Sequence, residues 1–310
     1  MFAALAESLR RLGVPCRLNA PIAPHLHFRI GGAVRLLASP AGSGQLAAAV
    51  RELAAARAPF LVVGGGSNIV FGDGPTRAAV VLAPAPAPTR LLDDRSLQVE
   101  SGMRNPPFLS WCAAQGIGGF EFLSGIPGTL GGAAAVNAGA FGRSVADVLL
   151  AADIVDEGGN PGTVEAGRFD FGYRGSRFKF GRETLLALRL RFDRDSGTAI
   201  ARKLKENLNY RRKHHPSYRL ASAGCFFKNP MRDGVKISAG KLIEECGLKG
   251  TACGGLVVAA EHGNFLLNRG GGTFADLRRL EETIREALAG RTGIVLEREV
   301  IYVSPEGKKY

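Results

Sequence analysis

The chain holds 310 residues, room for about two domains, and its 45% hydrophobic and 22% charged fractions are those of an ordinary folded protein. No run of about 18 uncharged apolar residues occurs, so no membrane span is expected. A net charge of +12 favours anionic partners, either nucleic acid or phosphorylated small molecules.

Met1 to Arg11 has a helical apolar pattern but carries Glu7, Arg10 and Arg11, and it lacks the apolar block and cleavage site of a secretory signal. Ser43 is placed to cap a helix running to about Ala56, with Leu46, Val50 and Leu53 at helical spacing. The apolar run Phe60 to Val63 reads as a buried strand, and Ala79 to Leu82 as another. Alternating proline over Pro84 to Pro88 predicts an exposed extended connector. A strand is expected at Leu97 to Glu100, then a helix over Pro106 to Gln115 with proline in its first turn. Strands follow at Val148 to Asp156 and at Leu185 to Phe192, the second alternating apolar and basic residues as a half-exposed strand would.

The stretch from about Thr198 to Lys213 has helical spacing and joins two domains. Beyond it a strand is expected at Cys225 to Phe227, a helix over Ser238 to Cys246, and strands at Leu256 to Val258 and Phe265 to Leu267. Thr273 is the expected cap of a helix with Phe274, Leu277, Leu280, Ile284 and Leu288 on one side. A final strand is expected over Ile294 to Val303. This mixed order of elements predicts α+β domains, not a regular parallel α/β sheet.

Two glycine-rich turns carry the strongest chemical signal. Gly64-Gly65-Gly66-Ser67-Asn68 follows the strand at Phe60, and Gly125-Ile126-Pro127-Gly128-Thr129-Leu130-Gly131-Gly132 lies about sixty residues later. Glycine lets backbone approach a ligand closely and lets successive N–H groups converge on an anion. The pair therefore suggests a long phosphate-bearing cofactor lying against main chain. Neither turn has the third glycine of a dinucleotide-binding Rossmann turn or the Gly-Lys-Ser/Thr of a P-loop, so another fold must hold it.

Three further constellations could do chemistry. Arg174 sits among the aromatics of Phe171 to Lys179, where a guanidinium can stabilise a developing oxyanion or simply pair with a carboxylate. Cys225, between Gly224 and Phe226-Phe227, is either a thiol proton donor or a buried core residue. Glu297 and Glu299 would share one face of a final strand, with Arg298 on the other; two acids in an apolar strand need partners or a job, or an exposed edge.

The basic stretch Arg202 to Arg219 is either a solvated helix face or the rim of an anionic-substrate site; it accompanies no nucleic-acid motif. The five cysteines are scattered, without a CxxC pair or zinc spacing, which predicts a reduced, cytoplasmic chain and no metal. None of the five histidines stands at zinc spacing, and no catalytic role is expected of them.

Taken in order, these segments closely resemble the UDP-N-acetylenolpyruvoylglucosamine reductases, the MurB family. The resemblance runs from about Asn19 to Val303. It comprises Asn19-Ala20-Pro21, Phe28-Arg29-Ile30-Gly31-Gly32, the two glycine turns, Asn137-Ala138-Gly139-Ala140-Phe141-Gly142 and Tyr173-Arg174-x-Ser176-x-Phe178-Lys179. Ala223 to Pro230, Ala239 to Glu244, Gly247 to Gly250 and Leu296-x-x-Glu299-Val300 complete it.

The resemblance implies an FAD-binding domain of the vanillyl-alcohol-oxidase type in two subdomains, 1–78 and 79–198, followed by a C-terminal substrate domain over 199–310. It implies that FAD is held by Gly64, Gly65, Gly66, Ser67, Asn68, Gly125, Ile126, Pro127, Gly128, Thr129, Gly131, Gly132, Asn137 and Gly139. NADPH would give hydride to the flavin, and the flavin to the enolpyruvyl carbon of UDP-N-acetylglucosamine enolpyruvate, giving UDP-N-acetylmuramate for peptidoglycan. The arginine, proton donor and glutamate of the family pattern fall on Arg174, Cys225 and Glu299.

Many relatives have serine where this chain has Cys225; a thiol is the better acid but is open to oxidation. The short interval from Arg174 to Cys225 matches the class lacking an extra substrate loop, so Arg212 and Lys213 are expected to clamp the UDP phosphates, alongside Tyr173, Lys228 and Asn229 in the substrate site. A monomer acting on a UDP-sugar, with no nucleic-acid or membrane partner, is expected. The alternatives are another oxidoreductase on the same FAD fold, such as an alcohol or lactate oxidase, and a basic nucleic-acid-binding protein without enzymatic activity.

Overall fold

The computed structural model describes residues 1–84 and 89–310. The connector expected over Pro84 to Pro88 lies, from Ala85 onward, outside the described residues. The chain divides into two compact units, Met1–Ala20 with Val34–Gly65 and Arg77–Tyr210, and Pro21–Ala33 with Gly66–Thr76 and Arg211–Tyr310. Both mix helix and strand, as the α+β expectation requires.

In the first unit, helices α1 (Phe2–Arg11) and α2 (Ser43–Ala55) pack on a four-stranded sheet ordered Cys16–Pro21, Ala33–Ala38, Thr76–Leu82, Phe60–Val63. Leu46, Val50 and Leu53 are fully buried there, as the helical spacing predicts. Ser43 is not the cap: Gly42 takes that position, and the Ser43 hydroxyl donates instead to Glu100 Oε1 at 2.8 Å. Phe60–Val63 runs parallel to Ala79–Leu82, which delivers Gly64 at the end of a buried strand.

A five-stranded antiparallel sheet follows, ordered Pro161–Glu165, Leu149–Val155, Thr184–Arg191, Ser96–Glu100, Arg90–Leu91. Helices α3 (Asn105–Ala114) and α4 (Leu130–Ala135) join its core through Phe108, Cys112, Leu130 and Ala134. Thr184–Arg191 is the central strand and is more buried than its alternation suggested. Leu188 and Leu190 lie in one core, Leu186 packs against the other, and Arg189 is neutralised by Asp153 at 2.9 Å. The expected basic helix is α5 (Gly197–His214), of which only Ile200 is buried.

The second unit has a sheet ordered Ala221–Cys225, Phe265–Asn268, Leu256–Val258, Ala252–Cys253, with helices α6 (Ala239–Glu245) and α7 (Phe274–Thr292). Thr273 caps α7 in a reciprocal capping box with Asp276, and Gly293 ends it at φ +71°, where a side chain would be strained. Its apolar stripe, Leu277, Leu280, Ile284 and Leu288, is buried together with Phe28 and Val70 from early in the chain. Asp73 tightens the same end of α7, accepting from Phe274 N at 2.8 Å and Ala275 N at 3.2 Å.

Two expected strands differ. The strand expected at Cys225 to Phe227 ends at Cys225, and Phe227 makes only an isolated bridge to Arg298. The final strand spans Ile301–Val303 alone, parallel to Ile69–Phe71; before it Arg298 makes an isolated bridge to Phe227. At that bridge Arg298 turns inward and Glu297 stays exposed.

Candidate active site

The two glycine turns, distant in sequence, meet inside the first unit. A Cβ on Gly65 would stand 2.5 Å from the Gly128 Cα, and one on Gly64 would stand 2.5 Å from Thr129 Oγ1. No side chain fits at either place without moving backbone or the capping hydroxyl. Thr129 is itself held, its Oγ1 accepting from Gly132 N at 3.2 Å as the cap of α4. Gly66, at φ +64°, belongs to the other unit and has a different reason: its Cβ would strike the His25 carbonyl at 2.4 Å.

The segment Ser101–Asn105 runs along the back of the second turn as a strap. Gly131 N donates to Ser101 O at 2.8 Å, Leu130 N to Met103 O at 2.9 Å, and Asn105 N to Gly128 O at 3.2 Å. Gly131 is glycine because this strap leaves its Cβ only 2.7 Å from the Ser101 side chain. The Asn105 side chain adds a bond from Nδ2 to Ile126 O at 2.9 Å.

Two polar atoms at this turn, Asn105 Oδ1 and Ser124 Oγ, are buried with no hydrogen-bond partner in the protein. Buried polar atoms are nearly always satisfied. A turn of bare main chain, closed by glycines and carrying unsatisfied polar atoms, fits a cofactor with a diphosphate.

Farther along the same unit, Asn137 has its amide fully engaged, Nδ2 donating to Gly172 O at 3.0 Å and Oδ1 accepting from Ala146 N at 3.0 Å. Gly139 sits where its Cβ would meet Arg143 O at 2.8 Å. Asn137 thereby ties down the tight turn Gly172–Gly175, whose tip is Tyr173-Arg174. Arg174 has a left-handed φ of +59° and its guanidinium lies 5.6 Å from the Tyr173 ring centre. The buried Lys179 donates to the Arg174 carbonyl at 3.3 Å, which fixes that uncommon backbone geometry from below.

In the second unit Cys225 is half-buried at the end of its strand, next to a bulge at Gly224 (φ +76°). The next two residues are clamped. Phe226 N donates to Asn264 O, Phe227 N to Asn264 Oδ1, and Asn264 Nδ2 to Phe227 O, each at 2.8 Å. Glu299 N donates to Phe226 O at 2.9 Å and Lys228 N to Glu297 O at 2.8 Å, so Glu299 lies opposite Phe226, one residue from Cys225. The Lys228 ammonium pairs with the exposed Glu297 carboxylate. Asn229 Oδ1 accepts from Ala239 N at 3.0 Å and supports the start of α6. Arg212 and Lys213 are exposed in the last turn of α5.

Arg298, between the two glutamates, is anchored inward. Its Nε donates to Val300 O at 3.0 Å, its Nη2 to Tyr310 O at 3.2 Å, and its guanidinium lies 3.6 Å from the Tyr302 ring centre. Its charge faces the buried Glu281 at 3.4 Å, a carboxylate that also meets Arg278 at 3.5 Å and Arg285 at 3.8 Å and accepts from Tyr302 OH at 2.7 Å. Burial first, then Glu281, pushes the Tyr302 phenol well above its usual range, so it stays a donor.

Comparison with known proteins now bears on these sites. Residues 215–303 match the UDP-N-acetylenolpyruvoylglucosamine reductase C-terminal domain, and residues 34–164 match an FAD binding domain. A UDP-N-acetylenolpyruvoylglucosamine reductase of Heliobacterium modesticaldum is 36% identical over 289 residues, 93% of this chain and 90% of the relative. One from Geobacter metallireducens is 38% identical over 288 residues, 93% and 94% respectively. The crystal structure of the Thermus caldophilus reductase, MurB, superposes with a TM-score of 0.77 at 30% identity, over 93% of this chain and 98% of that one. The chain belongs to the UDP-N-acetylenolpyruvoylglucosamine reductase family.

Its glycine cradle is thus part of an FAD-binding domain, as the paired turns suggested. For this MurB-family chain, sequence reasoning missed Asn105, Asn264 and Glu281, each a buried polar residue without a motif of its own. It also passed over His215 and His262, whose rings stand 5.1 Å apart. His262 Nδ1 accepts from Asn264 N at 3.1 Å, which assigns the proton of the neutral ring to Nε2. Burial, then Arg211, lowers His215 to about 4, and burial likewise lowers His262.

Proposed function

We infer that the chain is an FAD-dependent UDP-N-acetylenolpyruvoylglucosamine reductase, taking hydride from NADPH and converting UDP-N-acetylglucosamine enolpyruvate to UDP-N-acetylmuramate in peptidoglycan precursor synthesis. The observation that carries this is family membership over almost the whole chain, joined to a backbone cradle suited to a diphosphate. The C-terminal match over residues 215–303 separates it from an alcohol or lactate oxidase on the same FAD-binding fold. The parts are an FAD-binding region in two subdomains, 1–78 and 79–198, and a substrate domain, 199–310. A monomer without a nucleic-acid role completes the proposal, in the cytoplasm, the compartment that its free cysteines suit.

Gly64 to Asn68, Gly125 to Thr129, Gly131, Gly132, Asn137 and Gly139 would hold or shape the FAD site, main-chain N–H groups taking the diphosphate charge. Bound FAD supplies the two-electron relay between NADPH and the substrate carbon. Hydride addition to the terminal enolpyruvyl carbon leaves an enolate beside a carboxylate, and that charge needs cationic and hydrogen-bond stabilisation, then a proton. Arg174 supplies the cation. The Cys225 thiol gives its proton to the carbon that bears the ether oxygen, and Glu299 is the third group that the family pattern sets beside that charge. Tyr173, Arg212, Lys213, Lys228 and Asn229 bind the UDP-sugar.

The test is the visible spectrum of the purified protein, followed by stopped-flow mixing. A yellow protein bleached by NADPH and reoxidised by the enolpyruvyl substrate is expected. A protein that takes up no FAD, or whose reduced form is reoxidised by oxygen but not by that substrate, would overturn the assignment.

A further inference from the structure

Asn105 is 1% exposed and is the first residue of α3, just after its N-cap Arg104, and its side chain does not cap that helix. Here it serves the second glycine turn instead. Its main-chain N–H and its Nδ2 take the carbonyls of Gly128 and Ile126, two residues apart, and Pro127 between them has no N–H to offer.

These bonds fix which way the peptides of the turn face. In a trans peptide the C=O and N–H point to opposite sides, and the described peptides are all trans. With Gly128 C=O turned back onto Asn105, the Thr129 N–H is turned away from the strap. Leu130 N–H and Gly131 N–H are used by the strap itself, whereas Thr129 N–H is left as a donor facing away from it. The contact between Gly128 and Gly65 places the first turn against the second. The unsatisfied Asn105 Oδ1 is a second and independent sign that this residue awaits a partner, which bound FAD or a water it orders would provide.

We propose that Asn105 is a positioning residue for FAD: it aims the second glycine turn at the cofactor by holding the Ile126 and Gly128 carbonyls from behind. The proposal rests on the flavoprotein assignment above and adds a residue to it. Alanine leaves the main-chain bond and removes the Nδ2 donor. Aspartate keeps the volume but sets an acceptor against the Ile126 carbonyl, and serine keeps a shorter donor.

The experiment is FAD titration of apoprotein by flavin fluorescence for wild type, Asn105→Ala, Asn105→Asp and Asn105→Ser, with the melting temperature of each apoprotein and the KM for the enolpyruvyl substrate at saturating FAD. Loss of one buried hydrogen bond should raise the FAD Kd about tenfold in the alanine variant. Aspartate should raise it further and serine less, with KM unchanged. A residue that only supports the fold would lower the apoprotein melting temperature and leave the Kd of the folded protein alone. Kd values within about twofold of wild type in both alanine and serine variants would therefore overturn the proposal, and serine alone decides if alanine does not fold. A wild-type protein that binds no FAD would instead sink the flavoprotein assignment itself.

Discussion

The glycine cradle of the first unit is built from main chain, whereas the cluster around Cys225 in the second is built from side chains. Around Gly64, Gly65 and Gly128 the absence of side chains is what allows two turns to touch, and hydrogen bonds behind the turn hold the backbone. Around Cys225 and Glu299 the proposed functional groups are side chains, flanked by other side chains, Asn264 on one side and Arg298 with the buried Glu281 on the other. A backbone site is specified by what a residue lacks and a side-chain site by what its neighbours supply, so the two should fail in different ways.

The largest effect is expected where charge is buried. Glu281→Ala leaves Arg298 without its carboxylate and removes the acceptor of Tyr302, so unfolding free energy should fall by about 3–5 kcal/mol in a denaturant titration. FAD uptake by the folded fraction should be unchanged; equal loss of FAD would erase the contrast between the units.

Cys225→Ala comes next. Reduction by NADPH should proceed as in wild type while substrate reduction slows by roughly 10²-fold or more, and Cys225→Ser should retain much of the activity. Full turnover by the alanine variant would remove the thiol from the mechanism.

On the backbone side, Gly65→Ala drives a methyl against Gly128, and overpacking of about 1–3 kcal/mol should weaken FAD binding by roughly 5- to 150-fold, read as loss of yellow colour on dialysis.

The smallest effect concerns acid. Burial, then Arg211, lowers His215 from the ordinary 6.5 to about 4, so between those values the unfolded chain binds a proton that the folded one refuses. Stability should fall as pH drops through that window, and His215→Gln should flatten the slope; a slope unchanged in the variant would assign it elsewhere.

Local signals were legible in the sequence. The Thr273 cap, the stripe from Leu277 to Leu288 and the strand into Gly64 follow from rules that span a turn or two of chain. What failed depends on distant partners. Ile294 to Val303 alternates like a strand, yet only Ile301–Val303 finds a ladder, because its partner edge is the short strand Ile69–Phe71. Thr184–Arg191 looked half-exposed because its basic residues were counted as solvent-facing, whereas Arg189 is satisfied by Asp153. Asn105 and Asn264 could not be singled out, since an asparagine's value here lies in which carbonyls happen to be near it.

The ladder between Ile69–Phe71 and Ile301–Val303 bears on how the polypeptide is made. That early strand emerges from the ribosome long before its mate and stays an open edge until Ile301–Val303 has been made, a period of risk for a sequence as apolar as Ile-Val-Phe. Maturation of the C-terminal half should therefore be a late event, and nascent chains halted short of Ile301 should depend on chaperones.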